Sequence, residues 1–354
     1  MVLIIKRITV FLLCICLCCM CTVDSCADFP TLSADCAVIC NADGQELYSK
    51  NGDKRVLIAS TTKLMTAIIA IEKLDITRRV EIQPQWCGIE GSSMYLRAGQ
   101  ELSVEELLYG LLLVSGNDAA VALACITAGD CDAFARMMNE KAMELGMENS
   151  SFQNPHGLDA PEHYSSAGDM ARLMCYCMKN AVFARIIGTA TYKIGEQMLV
   201  NHNKLLTSLP GCTGGKTGYT KAAGRCLVSS CSRDGLELIC VTMSAPDDWN
   251  DHIRLYEWGY AKFCRRNAAE GLVFEVPVVS GVRKKVAVRA SEDIWVFCRR
   301  DESLQAVAEL PHFTFAPVKQ GEAAGQLKII QNGTVAGTCP LVFCEDVSLQ
   351  GVLP

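Results

Sequence analysis

Three short motifs stand in one order along this chain: Ser60-Thr61-Thr62-Lys63, then Ser115-Gly116-Asn117, then Lys216-Thr217-Gly218. Between them they supply a hydroxyl nucleophile, an amine beside it, a second hydroxyl, an amide and a cation. That set suffices for acyl transfer through a serine ester and needs no histidine. Singly each is weak: an S-x-x-K arises by chance about once in a chain of this length, and a K-T-G in roughly one such chain in ten. The three together constrain the fold, which has to converge a helix start, an inter-helix turn and a strand on one cleft.

Residues 35–50 read as two short strands around the hairpin signal Asn41-Ala42-Asp43-Gly44. Residues 57–74 read as a helix, with Leu64, Ala67, Ile68 and Ile71 at helical spacing. Ser60 sits at its start and Lys63 one turn on, so the two side chains share a face. A nucleophile there also gains an oriented backbone N–H and the positive end of the helix dipole for an oxyanion. Ser103-Val104-Glu105-Glu106 is a capping box that opens a helix running to Leu113. Ser115-Gly116-Asn117 then forms a tight turn before a second helix over 118–128. Helical patterns follow over 133–145 and Ala167–Met178, with a loop rich in Pro, His, Gly and Asp between them.

Lys216-Thr217-Gly218 opens a β-rich section in which 228–230 and Leu236–Met243 are strand-like, and 249–263 closes it as an amphipathic helix. Helices inserted between an N-terminal hairpin and C-terminal strands predict an α+β domain on an antiparallel sheet. No G-x-G-x-x-G follows a strand, which excludes a Rossmann order. Residues 265–270 are a polar linker candidate. Beyond them 273–279, 285–288, 294–297 and 326–330 are strand runs of a small all-β domain. The expected division is a signal peptide over 1–27, a catalytic domain over 28–266 and a β-rich C-terminal domain over 271–354.

The length of 354 residues suits two domains. The formal charge of −6, with no basic run, argues against nucleic acid or an anionic membrane surface as main partner. Lys6 and Arg7 precede an apolar run over 8–21, and Ser25-Cys26-Ala27 offers small residues for cleavage, which reads as an export signal. That run is short for a spanning helix, which needs about 20 apolar residues. Export places the protein outside the cytoplasm, in the cell envelope or secreted. Of 21 cysteines, Cys14, Cys16, Cys18, Cys19, Cys21 and Cys26 lie in the signal. Most of the others sit in apolar stretches as small core hydrophobes. Cys36 with Cys40, or Cys339 with Cys344, are spaced to bridge, but nothing in the spacing demands it.

Each motif has a plain structural reading: a helix cap, a polar turn, a strand end. Their conjunction displaces it. Ser60 needs a base within reach, and Lys63 serves if burial and a second cation, Lys216, keep it neutral. Ser115 can relay a proton and Asn117 can hold a backbone amide. Lys216 and Thr217 can bind a carboxylate, and Gly218 lets its strand approach a ligand closely. The backbone N–H of Tyr219 would face that of Ser60 as the second oxyanion donor. A phosphate loop at Gly215-Lys216-Thr217 is excluded, because Pro210 stands where its first glycine belongs. His156 and His163 lie near Asp159, Glu162 and Asp169, yet match no zinc spacing and read as loop and packing residues. No metal and no cofactor are expected.

At these residues the chain resembles the low-molecular-weight penicillin-binding proteins, the serine D-Ala-D-Ala carboxypeptidases, in their sporulation-type branch. Residues 58–66, Asn154-Pro155-His156-Gly157-Leu158-Asp159 and Gly215-Lys216-Thr217-Gly218-Tyr219-Thr220 carry the likeness. It implies a β-lactamase/transpeptidase-like catalytic domain, with an antiparallel sheet and a helical subdomain, and an accessory β-domain. It implies removal of the terminal D-alanine from peptidoglycan stem peptides through an acyl-enzyme on Ser60, a cell-wall biogenesis role, and covalent inhibition by β-lactams. Lys63 is then the base, Ser115 the proton shuttle, Asn117 the amide anchor, and Lys216 and Thr217 the carboxylate site. Several relatives have a histidine where Tyr219 stands. Others place an arginine near 244–248, where this chain has none, leaving Thr217 or Arg225 to compensate. No basic amphipathic anchor is visible near Pro354, and peripheral membrane or cell-wall association stays open. A β-lactamase of similar architecture would need an E-x-x-x-N loop between Asn117 and Lys216, which is absent. A D,D-endopeptidase and a non-turnover β-lactam sensor are the remaining alternatives.

Overall fold

The computed structural model describes residues 29–351. The expected export signal, with Lys6, Arg7 and the proposed cleavage site at Ser25-Cys26-Ala27, lies outside the described residues. Phe29, Pro30, Thr31 and Leu32 carry no helix or strand and belong to a separate N-terminal unit, while Ser33–Pro354 forms one compact unit.

Within that unit β1 (Cys36–Asn41) and β2 (Glu46–Lys50) form the expected hairpin. A 3-10 turn (Ala59–Thr62) leads into α1 (Lys63–Lys73), followed by β3 (Arg79–Glu81), β4 (Glu101–Ser103), α2 (Val104–Leu113), α3 (Asn117–Ala128), α4 (Cys131–Glu144), α5 (Ala167–Met178) and α6 (Ala181–Ile187). After β5 (Thr191–Ile194), β6 (Gln197–Val200) and the short α7 (Leu205–Ser208) come β7 (Cys212–Thr220), β8 (Gly224–Arg233), β9 (Leu236–Met243) and α8 (Asp248–Lys262). The main sheet is antiparallel, in the order β2-β1-β9-β8-β7. Every residue of β1 is buried, which requires cover on both faces of the sheet; α5 and α8 both pack on β1, β8 and β9.

The helical part is built around α1. Its residues from Lys63 to Ala70 are all buried, so it is covered on every side, by α2, α3, α4, α5 and α6. The capping box at the start of α2 is formed as its sequence requires. Ser103 Oγ accepts the Glu106 N–H at 3.1 Å and the Glu106 carboxylate accepts the Ser103 N–H at 2.7 Å. With its start pinned, α2 delivers Ser115 to one place at its far end.

Three local readings are corrected. The 57–74 helix starts later than expected, as a 3-10 turn from Ala59 and an α-helix from Lys63, because Ala59 has φ +47° and no right-handed helix passes back through it to Leu57. Lys216 is not at a strand start: β7 already begins at Cys212. Ahead of Lys216 in β7, a Cβ on Gly214 would lie 2.7 Å from Ile187 Cγ2, and one on Gly215 would lie 2.7 Å from Asn203 Nδ2 and 2.9 Å from the Val228 carbonyl. These glycines let neighbours press onto a strand. The linker candidate is in part a strand, β10 (Phe263–Asn267), in which the Arg265 guanidinium lies 5.5 Å from the centroid of the Trp295 ring.

The remaining strands are β11 (Val273–Val279), β12 (Lys285–Ala290), β13 (Trp295–Arg299), β14 (Gln305–Glu309), β15 (Thr314–Phe315), β16 (Ala323–Gln331) and β17 (Thr334–Phe343). They form the sheet β14-β16-β17-β12-β11-β15 and the ribbon β10-β13, around a second core that includes Val276, Val288, Leu327 and Leu341. The strand β17 escaped the sequence reading because its first half is largely exposed, and only Cys339, Leu341 and Phe343 alternate inward.

All 15 cysteines among the described residues are free thiols, and neither pair suggested by spacing is bonded. Tertiary contact instead sets Cys40 against Cys175 at 3.7 Å and Cys264 against Cys298 at 3.9 Å. Burial raises the thiols of Cys177 and Cys240 well above their ordinary value and pushes Cys226 up to about 11. In the unfolded chain they ionise from about pH 8.5. Their stabilisation is therefore complete below that pH and is lost as pH rises towards the folded values. Lys63 and Lys216, whose amines burial lowers, act in the opposite sense, but the thiols outnumber them. Under reducing conditions the urea midpoint should fall between about pH 8 and pH 10.5. A midpoint that rises would show that the two lysines dominate.

Candidate active site

The turn before α1 presents Ser60. Ala59 precedes it in the left-handed region, a strain of order 1–3 kcal/mol for a non-glycine residue that the surroundings must hold. Lys63, fully buried at the head of α1, places its Nζ 2.8 Å from Ser60 Oγ, 2.7 Å from Asn117 Oδ1 and 2.6 Å from the His156 carbonyl oxygen. Two of these partners can only accept. A neutral amine spends its two hydrogens on them and turns its lone pair to the Ser60 hydroxyl. Burial holds the Lys63 amine well below its ordinary value, the nearby Lys216 cation lowers it further, and the Asp118 carboxylate opposes both.

Ser115 lies on the turn between α2 and α3 with φ +62°. Its Oγ is buried and, among the described residues, has no hydrogen-bond partner, while the residue lines the cleft that holds Ser60. The Asn117 amide is engaged at both ends, Oδ1 by Lys63 and Nδ2 by the Glu90 carbonyl at 2.5 Å. Asp118 is a residue the sequence reading missed. Its buried carboxylate accepts from Ser93 Oγ and from the backbone N–H groups of Met94 and Leu96, tying 93–96 to the start of α3.

The third segment is β7. A Cβ on Gly218 would lie 3.0 Å from both Ser60 N and the Ile58 carbonyl, so glycine lets the strand dock against the turn that carries Ser60. Lys216 is buried behind it, donating to the Thr217 carbonyl at 2.7 Å, with its amine lowered by burial to about 7. Thr217, Gly218 and the exposed Tyr219 line a cleft of about 360 Å³ together with Ser60, Ser115 and Arg225. Arg225 stands opposite Tyr219 in the β7–β8 register. Its Nε and Nη2 donate to Asp248 Oδ1 at 2.9 and 2.8 Å, and its guanidinium lies 5.8 Å from the Trp249 ring centroid.

All the residues singled out from the three motifs thus meet at one place. The second thing missed is the His156 carbonyl, a backbone group with no signature beyond its place in the Asn154–Asp159 stretch. That loop is braced by Thr66, which donates to the Pro155 carbonyl at 2.6 Å, and by Thr220, which donates to Asp159 at 2.9 Å. Burial, with Lys63 nearby, lowers His156 and His163 to about 4. No cluster of three or more His, Cys, Asp or Glu side chains able to hold a metal occurs among the described residues.

Residues 24–247, more than half of the chain, match the family described as D-alanyl-D-alanine carboxypeptidase. The chain belongs to that family. The activity that goes with membership is that of a serine-type D-Ala-D-Ala carboxypeptidase. Residues 268–348 match the penicillin-binding protein 5 C-terminal domain. The chain is 32% identical over 342 residues to the D-alanyl-D-alanine carboxypeptidase DacF of Bacillus subtilis (strain 168), covering 90% of this chain and 87% of that protein. It is 32% identical over 332 residues to DacC of Escherichia coli (strain K12), covering 88% and 83%. Among solved structures, penicillin binding protein 6B from Escherichia coli superposes with TM-score 0.70 at 26% identity, over 88% of this chain and 96% of that one. Penicillin binding protein 5 from Haemophilus influenzae does so with TM-score 0.68 at 29% identity, over 90% and 98%. The fold of this D-alanyl-D-alanine carboxypeptidase family member is therefore the penicillin-binding-protein-5-like one, with a helical subdomain and a β-rich C-terminal part.

Proposed function

We propose that this enzyme trims the terminal D-alanine from peptidoglycan stem pentapeptides outside the cytoplasm, with Ser60 as the acylated residue. The observation that carries the reading is the buried Lys63 amine, 2.8 Å from Ser60 Oγ and donating to two carbonyl oxygens. Ser60 Oγ attacks the carbonyl of the penultimate D-alanine as its proton passes to Lys63. The N–H groups of Ser60 and Tyr219 receive the oxyanion. Ser115 Oγ, with no internal partner to give up, takes the proton from Lys63 as it hands its own to the leaving amine, so that both groups end the step as they began it. Water then cleaves the ester and regenerates the serine. Asn117 keeps Lys63 oriented through Oδ1 and anchors the substrate amide with the second Nδ2 hydrogen, the one not given to the Glu90 carbonyl. β-Lactams acylate the same hydroxyl.

Thr217 and Lys216 are assigned to the substrate carboxylate, with Arg225 as the fixed charge of the site. Lys216 sits at about 7 and is only partly charged at neutral pH, whereas a guanidinium stays ionised. The division into an exported catalytic domain over 28–266 and an accessory domain over 271–354 completes the proposal. Among the described residues no helix is long and apolar enough to cross a membrane.

The test is product analysis with purified residues 28–354 on monomeric and cross-linked stem peptides. D-alanine should appear from the pentapeptide, with the cross-links left whole. Release of cross-linked partners without free D-alanine would make the enzyme an endopeptidase. In the same assay Arg225→Gln should raise KM about 10- to 100-fold, as loss of a charge-assisted contact does, with kcat nearly unchanged. An unchanged KM would remove Arg225 from the carboxylate site.

A further inference from the structure

We infer that His163 is a positioning residue for Ser60, acting through a hydrogen-bond chain with one allowed direction. The chain runs from the Gln153 N–H through the imidazole of His163 and the hydroxyl of Thr62 to the carbonyl of Ala59. The Gln153 N–H donates to His163 Nδ1 at 3.0 Å. A neutral imidazole that accepts at Nδ1 carries its hydrogen on Nε2. Nε2 lies 2.8 Å from Thr62 Oγ1, so the ring donates there and the threonine hydroxyl is left to donate onward. It does so to the Ala59 carbonyl, at 2.8 Å. Every donor meets an acceptor in this direction. The reverse tautomer would set the Nδ1 hydrogen against the Gln153 N–H, in a place where neither finds water, since His163 and Thr62 are both buried.

What the chain holds is the strained residue. Ala59 has φ +47° and immediately precedes Ser60. Left alone, an alanine there relaxes to negative φ and swings the following hydroxyl away from Lys63. Its carbonyl is fixed from two sides. Thr62 donates to it, and Gly157 packs so close that a Cβ there would lie 2.0 Å from that oxygen. Gly157 follows His156, whose own carbonyl accepts from Lys63. The loop anchored by Gln153 and His163 thus bears on the nucleophile's backbone and on the base at once. An ordinary threonine at this spacing bonds its own i−3 carbonyl with no partner behind it. Here the imidazole fixes the hydroxyl's rotation.

The inference rests on Ser60 being the acylated residue, so it is tested in two arms. The first is the tautomer of His163 in the full chain, read by nitrogen-15 NMR with histidine labelling and assigned by the signal lost in His163→Gln. The expected state is neutral with the proton on Nε2; an Nδ1-protonated or imidazolium ring overturns the inference whatever Ser60 does. The second is the rate of covalent β-lactam acylation. Thr62→Val, which keeps shape and removes the hydroxyl, should slow acylation about 10- to 100-fold, the scale of a misplaced reacting group. Thr62→Ser should restore the rate to within about threefold, and adding His163→Gln to Thr62→Val should cost little more than Thr62→Val alone. Acylation of Thr62→Val at the native rate, or losses that multiply, overturns the inference. If the native protein is not acylated at all, the reading of Ser60 fails, while the tautomer still decides the chain.

Discussion

Ser60→Ala is expected to lower D-alanine release and covalent penicillin labelling by on the order of 10⁴-fold or more while leaving the fold in place. The size follows from the arrangement: among the described residues, the one hydroxyl hydrogen-bonded to the Lys63 amine is removed, and Ser115 reaches no partner that would activate it as a substitute. The fold survives because Ser60 is not a core residue and Lys63 keeps its bonds to Asn117 and the His156 carbonyl. Intact-protein mass after penicillin treatment, beside a melting curve, reads both outcomes. A variant that still gains the mass of the drug places the acylated residue elsewhere.

The second large effect is expected at Lys63. Lys63→Arg should slow acylation on the order of 10³-fold or more, the upper range of what a positioned base supplies. Arginine has a similar reach but stays charged and cannot shed its proton near pH 7, so no lone pair faces Ser60. It should also destabilise, because a permanent cation would be buried beside Lys216. Lys63→Met separates the two effects: it removes the base without adding charge, so it should be equally inactive but melt closer to the native protein. Acylation by Lys63→Arg within tenfold of native would sink the lysine-base mechanism.

Much of the site could be read along the chain because its parts are local. Ser60 and Lys63 lie three residues apart, and any helical turn brings them to one face. Ser103 and Glu106 announce α2, and with it the position of Ser115. The corrections arise where a neighbour distant in sequence sets the backbone. Ala59 takes a left-handed conformation that an alanine does not choose, beneath Gly157 and Thr62. Lys216 looks like a strand start until Ile187 and Asn203 are packed against Gly214 and Gly215 ahead of it. Asp118 and the His156 carbonyl went unnoticed because a buried carboxylate that ties a loop, and a backbone oxygen that bonds an amine, leave no pattern in residue type.

By itself the order of residues determined the chemistry on offer: a serine, an amine one turn away, a second hydroxyl, an amide and a cation, carried by an α+β chain with a β-rich tail. Only the tertiary structure decided that Lys63 is wholly enclosed, which carbonyls take its hydrogens, and that Arg225 rather than any residue of 244–248 brings a guanidinium to the cleft. The reason is physical. Which groups a chain carries is a property of its residues, but the desolvation that makes an amine a base, and the direction of each hydrogen bond around it, belong to the packed neighbourhood.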